Sequence, residues 1–447
     1  MRILFLLTYY YPHWTGLTRY AGRIAEGLAA RGHQVHALAV QHDPALPLEE
    51  ELGGVRVHRV PARFSLSRSV IAPGLLPRLR RLLAEEAIDA VSIHIPFPEV
   101  YPATALARQA GASVFLTHNG DLVLPAGPLK RPLEWLYYRM TGAAGRMASG
   151  LIPQTRDYAA SSRLLAPLWD KLHFIYAPVD LPPPDAAACT AWRRDLGLEG
   201  RFLVGFAGRF VEEKGFDFLF RAVPEVLAAR PDAHFVFAGV KEIHYEGFFA
   251  RHRDELEALA DHFSFLGLLT EPQDLANFYG MIDCFALPSR SDCFPSTQIE
   301  AVRSGAPLVT ADIPGAREIV RVTGMGVIVR AGDPRALAGG ILEVAEHLPS
   351  YRARQAKALE LFDPQDCFEA YEALFALSRR TDGAGLSAAE AHRDPVLARA
   401  ADRVAPAVST AVGPDGVYRP HVDRPVDPPA EQPADSPPSP TQEASDA

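Results

Sequence analysis

Two cationic residues flank a glycine-rich turn in the second half of the chain. Arg209 follows Gly208 at the end of an apolar run, and Lys214 precedes Gly215 where a helical pattern begins. A turn between a strand and a helix presents backbone N–H groups and the positive end of the helix dipole to an anion. The planar fork of an arginine and the point charge of a lysine together suit a diphosphate. The alternative is a pair of ordinary surface cations beside a loop.

Two carboxylates, Asp292 and Glu300, follow a later predicted strand. If a helix begins near Pro295, a residue type favoured in the first turn, Asp292 precedes the helix and Glu300 lies one to two turns inside it. Ser296 and Thr297 then leave unsatisfied N–H groups at the helix start, which is a further anion site. Both carboxylates would face one ligand at the carboxyl edge of a parallel sheet. The alternative is that Asp292 caps the helix and Glu300 lies on a solvated face.

The elements that must position these residues follow a regular rhythm. Apolar runs rich in β-branched residues alternate with helical patterns, which predicts an α/β fold with parallel sheets and crossover helices. The rhythm occurs twice, so we expect two Rossmann-like, doubly wound domains. The predicted divisions are a first domain over 1–176, a Pro-rich linker over 177–200, a second domain over 201–362, a helix over 363–380, and a disordered acidic, Pro-rich tail over 381–447.

Three stretches carry a resemblance to a known family. The sequence from Gly208 to Gly215 resembles the Gly-Arg and Lys-Gly signature of retaining GT-B glycosyltransferases of the family 4 type, the glycosyl transferases group 1. The segment from Asp292 to Glu300 is similar to their motif of two Glu separated by seven residues, and Ala and Ser-Gly-x-Pro follow it. The stretch 9–35 is similar to their first glycine loop and helix. The resemblance implies two domains that face a central cleft.

The resemblance also implies roles in binding a nucleotide-diphosphate sugar. Arg209 and Lys214 would bind the diphosphate, Glu300 would accept hydrogen bonds from the ribose, and Asp292 would hold hydroxyls of the sugar. Backbone N–H groups for sugar and phosphate would come from Phe294, Pro295, Ser296 and Thr297.

Two positions of the first domain also match the family. Gly16 would let the backbone approach the β-phosphate, although a turn that needs positive φ is the simpler explanation of a glycine. His118, at the end of a predicted strand, would lie near the reacting sugar, and Asp121 follows it closely. A single histidine more often has a structural role.

The implied reaction moves a hexose-type sugar to a saccharide, lipid-linked or small-molecule acceptor with retention of anomeric configuration, as in polysaccharide or glycolipid synthesis. It requires neither a cofactor nor a bound metal, because Arg209, Lys214 and a helix amino end would stabilise the departing diphosphate. Two departures from the family pattern bear on the sugar. Asp292 stands where Glu is usual and Cys293 where Gly is common.

Composition excludes several classes of protein. Hydrophobic residues make up 48% of the 447 residues, which excludes a wholly disordered chain, and no apolar run is long enough for a membrane span. A formal net charge of −9 argues against nucleic acid as the partner. Four dispersed cysteines predict reduced thiols, no metal site and a cytoplasmic protein.

An arginine-rich segment over 62–84 raises the question of membrane contact. It contains no acidic residue and interleaves apolar side chains with arginines, a pattern that suits the inner face of an anionic membrane. A solvated arginine face is the equally favoured alternative. The arginines are Arg63, Arg68, Arg78, Arg80 and Arg81.

Two other functions stay open at this stage. A nucleotide-sugar epimerase would release a free sugar epimer without an acceptor. A non-catalytic partner subunit, suggested by Asp292 and Cys293, would bind a nucleotide sugar without turnover.

Overall fold

A computed structural model describes residues 1–66, 69–122, 124, 127–128, 130–240, 247–380, 385–404 and 415–420. Its secondary structure forms two seven-stranded sheets and a two-stranded one, with helices along the chain between the strands. This confirms the α/β fold with two doubly wound sheets.

The first sheet is built almost entirely of parallel strands. Its order is β3-β4-β2-β1-β7-β8-β9, and only the β3–β4 pair is antiparallel. β5 and β6 form the separate two-stranded sheet. The strands of this half are β1 (Arg2–Leu6), β2 (Gln34–Gln41), β3 (Glu49–Leu52), β4 (Val55–Pro61), β5 (Phe64–Leu66), β6 (Ser69–Ile71), β7 (Ala90–Ile95), β8 (Ser113–His118) and β9 (Gly150–Ile152). The helices of this half are α1 (Gly16–Ala30), α2 (Leu75–Glu85), α3 (Val100–Gln109), α4 (Lys130–Met147) and α5 (Arg156–Ser161), with a 3-10 turn at Ala166–Lys171.

The second sheet repeats the arrangement. Its order is β12-β11-β10-β13-β14-β15-β16, and only the β15–β16 pair is antiparallel. Its strands are β10 (Phe202–Ala207), β11 (Ala233–Ala238), β12 (Phe263–Gly267), β13 (Cys284–Leu287), β14 (Leu308–Ala311), β15 (Gly326–Val329) and β16 (Val417–Tyr418).

The remaining helices follow along the chain. 3-10 turns cover Glu212–Lys214 and Ala260–His262. The helices are α6 (Ala186–Asp195), α7 (Phe216–Ala229), α8 (Phe248–Arg251), α9 (Arg253–Glu257), α10 (Pro272–Met281), α11 (Ser296–Arg303), α12 (Glu318–Thr323), α13 (Pro334–Glu346), α14 (Leu348–Arg352), α15 (Gln355–Leu361), α16 (Pro364–Arg380), α17 (Ala388–Ala391) and α18 (Pro395–Arg403).

The predicted linker contains a helix, α6. α6 begins after Asp185, whose carboxylate accepts hydrogen bonds from the N–H groups of Ala187 and Ala188 and so caps the helix. The N–H of Asp185 donates to Asn277 on α10 at 2.9 Å. The three prolines before Asp185 keep residues 182–184 out of regular structure, but they do not prevent the helix that follows.

α16 crosses from the second sheet to the first. The hydroxyl of Tyr371 lies 2.9 Å from that of Tyr20 on α1. The ring of Phe375 lies 5.2 Å from that of Phe115 on β8, and both residues are fully buried. Burial of aromatic rings across this contact fastens the carboxyl-terminal helix to the first sheet.

The prediction of disorder from residue 381 onward is wrong for part of that stretch. α17, α18 and β16 all lie within it. The physical reason is that its few large apolar residues find partners, because Leu386, Leu397 and Val417 are buried. Asp394 caps α18 through the N–H groups of its first turn. Residues 381–384, 405–414 and 421–447 lie outside the described part of the chain.

The substitution Phe375→Ala tests the attachment of α16. It removes a fully buried ring between two elements far apart in sequence, so we expect the free energy of unfolding to fall by about 3 to 5 kcal/mol. Chemical denaturation followed by circular dichroism measures the change. Leu359→Ala, at an exposed side chain, is the control and should change stability little. Equal unfolding midpoints for the two variants would contradict this packing.

Candidate active site

The predicted phosphate-binding lysine and the predicted sugar-binding carboxylate are in direct contact. Lys214 Nζ donates to Asp292 Oδ2 at 2.5 Å, and both side chains are largely buried. Burial alone would lower the pKa of Lys214, but the negative charges of Asp292 and Glu213 outweigh it and hold that pKa above its ordinary value. The site therefore holds a neutralised ion pair rather than two free charges.

Backbone and side-chain contacts bring the loop that carries Lys214 and the loop that carries Asp292 together. Arg290 binds Asp217, at the start of α7, with two parallel hydrogen bonds of 2.7 Å. Its backbone N–H donates to the carbonyl of Glu213 at 2.7 Å. Gly215 has φ +69°, and a Cβ there would lie 1.9 Å from the carbonyl oxygen of Pro288. Only glycine fits this close approach, which explains the glycine after the lysine.

Arg209 lies on the exposed side of the same turn. It lies close enough to the loop over 9–14 to affect His13, whose pKa is lowered by burial and also by the positive charges of His42 and Arg209. The ring of His13 packs against that of Tyr9, with ring centroids 4.4 Å apart and planes tilted by 34°. Arg209, which is predicted to bind the diphosphate, thus lies near the loop that leads to α1.

The amino end of α11 corrects one prediction. Pro295 is the N-cap residue, and the helix itself begins at Ser296. Because proline has no N–H, Pro295 donates no hydrogen bond to a ligand. Pro295 provides no side-chain cap, so the first-turn N–H groups of Ser296 and Thr297 are available to a ligand.

Phe294 is held by its surroundings. Its side chain is buried and stacks on Tyr176, with ring centroids 5.1 Å apart and planes 7° from parallel. Phe294 therefore fixes the loop before α11 through packing.

Glu300 has a fully buried side chain with three hydrogen-bond donors. Arg19 and Arg23 of α1 donate to Oε1 at 3.0 and 3.4 Å. Tyr279 of α10 donates its hydroxyl to Oε2 at 3.0 Å. Glu300 raises the pKa of Arg19, whereas burial lowers that of Arg23. The carboxylate predicted for the ribose thus joins the two halves of the molecule.

Our sequence reasoning missed Arg19 and Arg23. They lie three and seven residues after Gly16, and so share one face of α1. Two arginines on the partly buried face of an amphipathic helix indicate a carboxylate partner. That spacing is a usable signal, but it does not name the partner.

Gly16 is the first residue of α1, not a turn residue with positive φ. Thr15 caps the helix by accepting a hydrogen bond from the N–H of Thr18 at 3.1 Å. A Cβ at position 16 would meet no atom within 4 Å. Gly16 therefore leaves open space at the amino end of α1, where an anion is favoured.

His118 ends β8 and is oriented by Asp121. His118 Nε2 lies 3.2 Å from Asp121 Oδ1, and the hydroxyl of Ser162 donates to the same oxygen at 2.8 Å. Burial would raise the pKa of Asp121, but the hydrogen bonds from His118 and Ser162 hold it below its usual range. The backbone N–H of Asp121 donates to the hydroxyl oxygen of Tyr158 at 2.9 Å. The two residues form one fixed unit on the first sheet.

Cys293 connects this unit to the second sheet. Its Sγ donates to the carbonyl of Asn119, next to His118, at 3.0 Å. Burial, and secondly the charge of Asp292, raises the pKa of the Cys293 thiol to about 12. The cysteine that replaces the usual glycine thus makes a contact that a glycine lacks.

A second ion pair joins the halves beside the cleft. Arg317 binds Asp157 on α5 with two hydrogen bonds of 2.7 and 2.8 Å, and a further hydrogen bond runs to Asp312 at 2.8 Å. The pKa of Arg317 is raised by these carboxylates. The N–H of Gly315 also donates to Asp157, at 3.3 Å.

Over the described ranges, no three His, Cys, Asp or Glu side chains come together as ligands for a metal ion.

Both halves of the chain match known family models. Residues 15–177 match the glycosyl transferase 4-like domain, and residues 201–347 match glycosyl transferases group 1. The chain belongs to the group 1 glycosyltransferases. This confirms the family that the motifs predict, and it makes the chain a glycosyltransferase of the GT-B fold.

Relatives with assigned activities span most of this glycosyltransferase. It is 28% identical over 337 residues to a GDP-mannose-dependent alpha-mannosyltransferase of Mycolicibacterium smegmatis, which covers 74% of this chain and 84% of that protein. It is 26% identical over 370 residues to a phosphatidyl-myo-inositol mannosyltransferase of Mycobacterium leprae, which covers 81% of this chain and 93% of that protein.

Solved structures share the fold. Sucrose-phosphate synthase from Thermosynechococcus elongatus superimposes with a TM-score of 0.68 at 18% identity, covering 85% of this chain and 100% of that one. Anabaena HepE in complex with UDP-glucose gives a TM-score of 0.68 at 19% identity, with the same coverage. At these identities the likeness concerns the fold alone.

The reactivity of the Cys293 thiol tests its contact with Asn119. Burial raises the pKa of all four thiols, including Cys293. A thiol with a raised pKa carries little thiolate at pH 8, so we expect Cys293 to react on the order of a thousandfold more slowly than free cysteine. Its rate should rise with pH across the range from neutral to alkaline. Reaction with an aromatic disulfide, read by absorbance, measures the rate.

Cys293→Ala is the control that assigns the signal, and guanidinium-unfolded protein should expose all four thiols. One thiol that reacts rapidly in the native wild type, and is lost in Cys293→Ala, would contradict the closed contact with Asn119.

Proposed function

We propose that this glycosyltransferase moves a hexose, with mannose from GDP-mannose as the first candidate, to a hydroxyl group of a saccharide, lipid-linked or small-molecule acceptor, with retention of anomeric configuration. The observation that carries the proposal is the Lys214–Asp292 ion pair at the uncapped amino end of α11. The names of the mannosyltransferase relatives support the choice of donor.

The diphosphate of the donor would replace Asp292 as the hydrogen-bond partner of Lys214. A diphosphate carries more negative charge than one carboxylate, so the ammonium gains by the exchange. Arg209 and the first-turn N–H groups of Ser296 and Thr297 would complete the anion site. Gly16 would admit the phosphate at the amino end of α1.

The exchange would release Asp292 for the sugar. A free carboxylate oxygen accepts hydrogen bonds from sugar hydroxyls, which orients the sugar before reaction. Ser289 already donates to Asp292 at 3.4 Å and would keep the carboxylate in place. Asp292 is one methylene shorter than Glu, so the sugar must lie closer to this loop.

Glu300 would accept hydrogen bonds from the ribose hydroxyls. In the structure its oxygens already accept hydrogen bonds from Arg19, Arg23 and Tyr279. The donor would therefore compete with at least one arginine of α1. Tyr279 belongs to the same half as Glu300 and would remain bound.

The transfer step would need no carboxylate nucleophile. The bond from the anomeric carbon to the phosphate oxygen breaks, a bond to the acceptor oxygen forms on the same face, and the acceptor proton passes to the leaving phosphate. Lys214, Arg209 and the end of α11 would stabilise the charge that develops on that phosphate. We propose that these cations take the role of a metal ion.

His118 would stand beside the reacting sugar. Asp121 fixes its ring, so His118 can present one ring nitrogen to a sugar hydroxyl. Asp121 acts through His118 and is a positioning residue.

Nucleotide binding tests the donor site. We expect GDP to raise the melting temperature more than UDP or ADP does, since binding to the native state stabilises it by mass action. Lys214→Ala should weaken GDP binding about 10- to 100-fold, because a charge-assisted hydrogen bond contributes about 1.5 to 3 kcal/mol. Calorimetry measures the melting temperature and the affinity for GDP. A chelator is present, which tests whether binding is independent of metal. Lys357→Ala, at an exposed lysine of α15, is the control.

The product identifies the reaction. Nuclear magnetic resonance of the product formed from GDP-mannose should show the anomeric configuration of the donor. An inverted product would overturn retention, and a free epimer without an acceptor would favour an epimerase. Nucleotide-sugar binding without turnover, with activity restored by Asp292→Glu, would favour the non-catalytic alternative.

Arg19→Ala tests the competition at Glu300. Because Arg23 still neutralises the carboxylate, we expect the variant to fold and to bind GDP roughly five- to tenfold more tightly. Arg335→Ala, on the exposed face of α13, is the matched arginine control. Weaker binding by Arg19→Ala would mean that Arg19 is itself a donor ligand.

A further inference from the structure

The outward face of α4 is apolar to an unusual degree. Four large side chains on this single helix are exposed by more than a third: Trp135 by 62%, Leu136 by 49%, Leu133 by 47% and Met147 by 37%. At 100° per residue they fall on one side of the helix, opposite the buried Thr141. Leu133, Trp135 and Leu136 are close together in the first turns of α4, and Met147 ends the helix. An exposed apolar surface of this kind marks an interaction surface.

The same face carries only positive charge. Arg131, Arg139 and Arg146 are exposed within it, and the Arg139 guanidinium lies 5.7 Å from the ring centre of Trp135. The one acidic residue of α4, Glu134, points the other way and accepts a hydrogen bond from the N–H of Leu124 at 3.2 Å. Tryptophan, leucine and arginine together are the composition of a helix that lies in a lipid interface.

α4 is tied to the chain that follows His118. Besides the Glu134 contact, the hydroxyl of Tyr138 donates to the carbonyl of Leu122 at 3.4 Å. Leu122 directly follows Asp121, which holds His118. A surface that docks against α4 therefore lies next to the acceptor side of the proposed site.

We propose that the outward face of α4 binds the surface of an anionic phospholipid bilayer and thereby presents the cleft to a lipid-linked acceptor. The choice of a lipid acceptor rests on the function proposed above, but the docking itself does not. A second copy of this chain fits the face less well. A symmetric pairing would set arginines against arginines with no carboxylate to balance them.

In the arginine-rich segment over 62–84, the described large apolar side chains are less exposed than those of α4. Four of the five leucines of α2, including Leu79 and Leu82, are buried, and Leu76 is half-buried. Arg78 binds Glu49 and lies 3.0 Å from His58 Nδ1, whereas Arg80 and Arg81 are exposed. Arg63 is also exposed, and Arg68 lies outside the described residues. Among residues 72–84 of this segment, whose side chains are described, none is an exposed large apolar residue of the kind that α4 provides.

None of the helices in the described part of the chain has the length and apolar character needed to cross a membrane. Docking by α4 would be peripheral. It would combine insertion of apolar side chains with attraction of arginines to lipid phosphates.

Vesicle co-sedimentation of the full chain tests the proposal. The probes are vesicles of phosphatidylcholine alone and vesicles with one third phosphatidylglycerol. We expect binding to the anionic vesicles, and about tenfold weaker binding by the double variant Trp135→Ala, Leu136→Ala. Leu268→Ala, at an exposed leucine after β12, is the matched control and should bind like wild type. Arg131→Gln with Arg139→Gln should lose the preference for anionic lipid.

Circular dichroism shows whether the double variant folds, and GDP binding in solution shows whether its donor site is intact. Together they distinguish a loss of membrane docking from a loss of either. A double variant that folds and binds GDP but loses vesicles supports the proposal. Equal vesicle binding by wild type and the double variant would overturn it. So would light scattering that shows a wild-type dimer which the double variant breaks. Vesicle binding without any sugar transfer would contradict the proposed function while leaving the docking surface in place.

Discussion

The rest of the site depends on one buried negative charge. Glu300 has no exposed surface, and a carboxylate removed from water must be neutralised and hydrogen-bonded. Arg19 and Arg23 provide the charge from α1, and Tyr279 provides a hydrogen bond from α10. This requirement draws the amino end of α1, with Gly16, toward the amino end of α11. The cleft is therefore held closed by the same carboxylate that the family resemblance assigns to the donor.

The largely buried charges of Lys214 and Asp292 are likewise neutralised inside the protein, each by the other. Each charge that would meet the donor already has a partner inside the protein, so binding is an exchange of partners rather than an addition. Such an exchange links donor binding to the contacts between the two sheets. The hydrogen bond from Cys293 to Asn119 and the Arg317–Asp157 ion pair lie on that same boundary and would respond to it.

Sequence patterns predict the strands and helices well where neighbouring residues determine them. The parallel strands that bear the site are apolar runs, whereas β3 reads Glu-Glu-Glu-Leu and its composition disfavours a strand. Lys214 and Asp292 were predictable from motif spacing. Their contact, and that of Arg19 with Glu300, joins residues far apart in the chain, so no periodicity reveals it. β16 was missed because its short pairing sits in a Pro-rich, polar stretch.

A crystal structure with GDP bound is the most direct test of this exchange. The account predicts that the ribose hydroxyls bind Glu300 while Arg19 moves out of hydrogen-bonding distance, and that Lys214 leaves Asp292 for the diphosphate. GDP bound in the cleft with the Arg19–Glu300 and Lys214–Asp292 contacts both intact would contradict it.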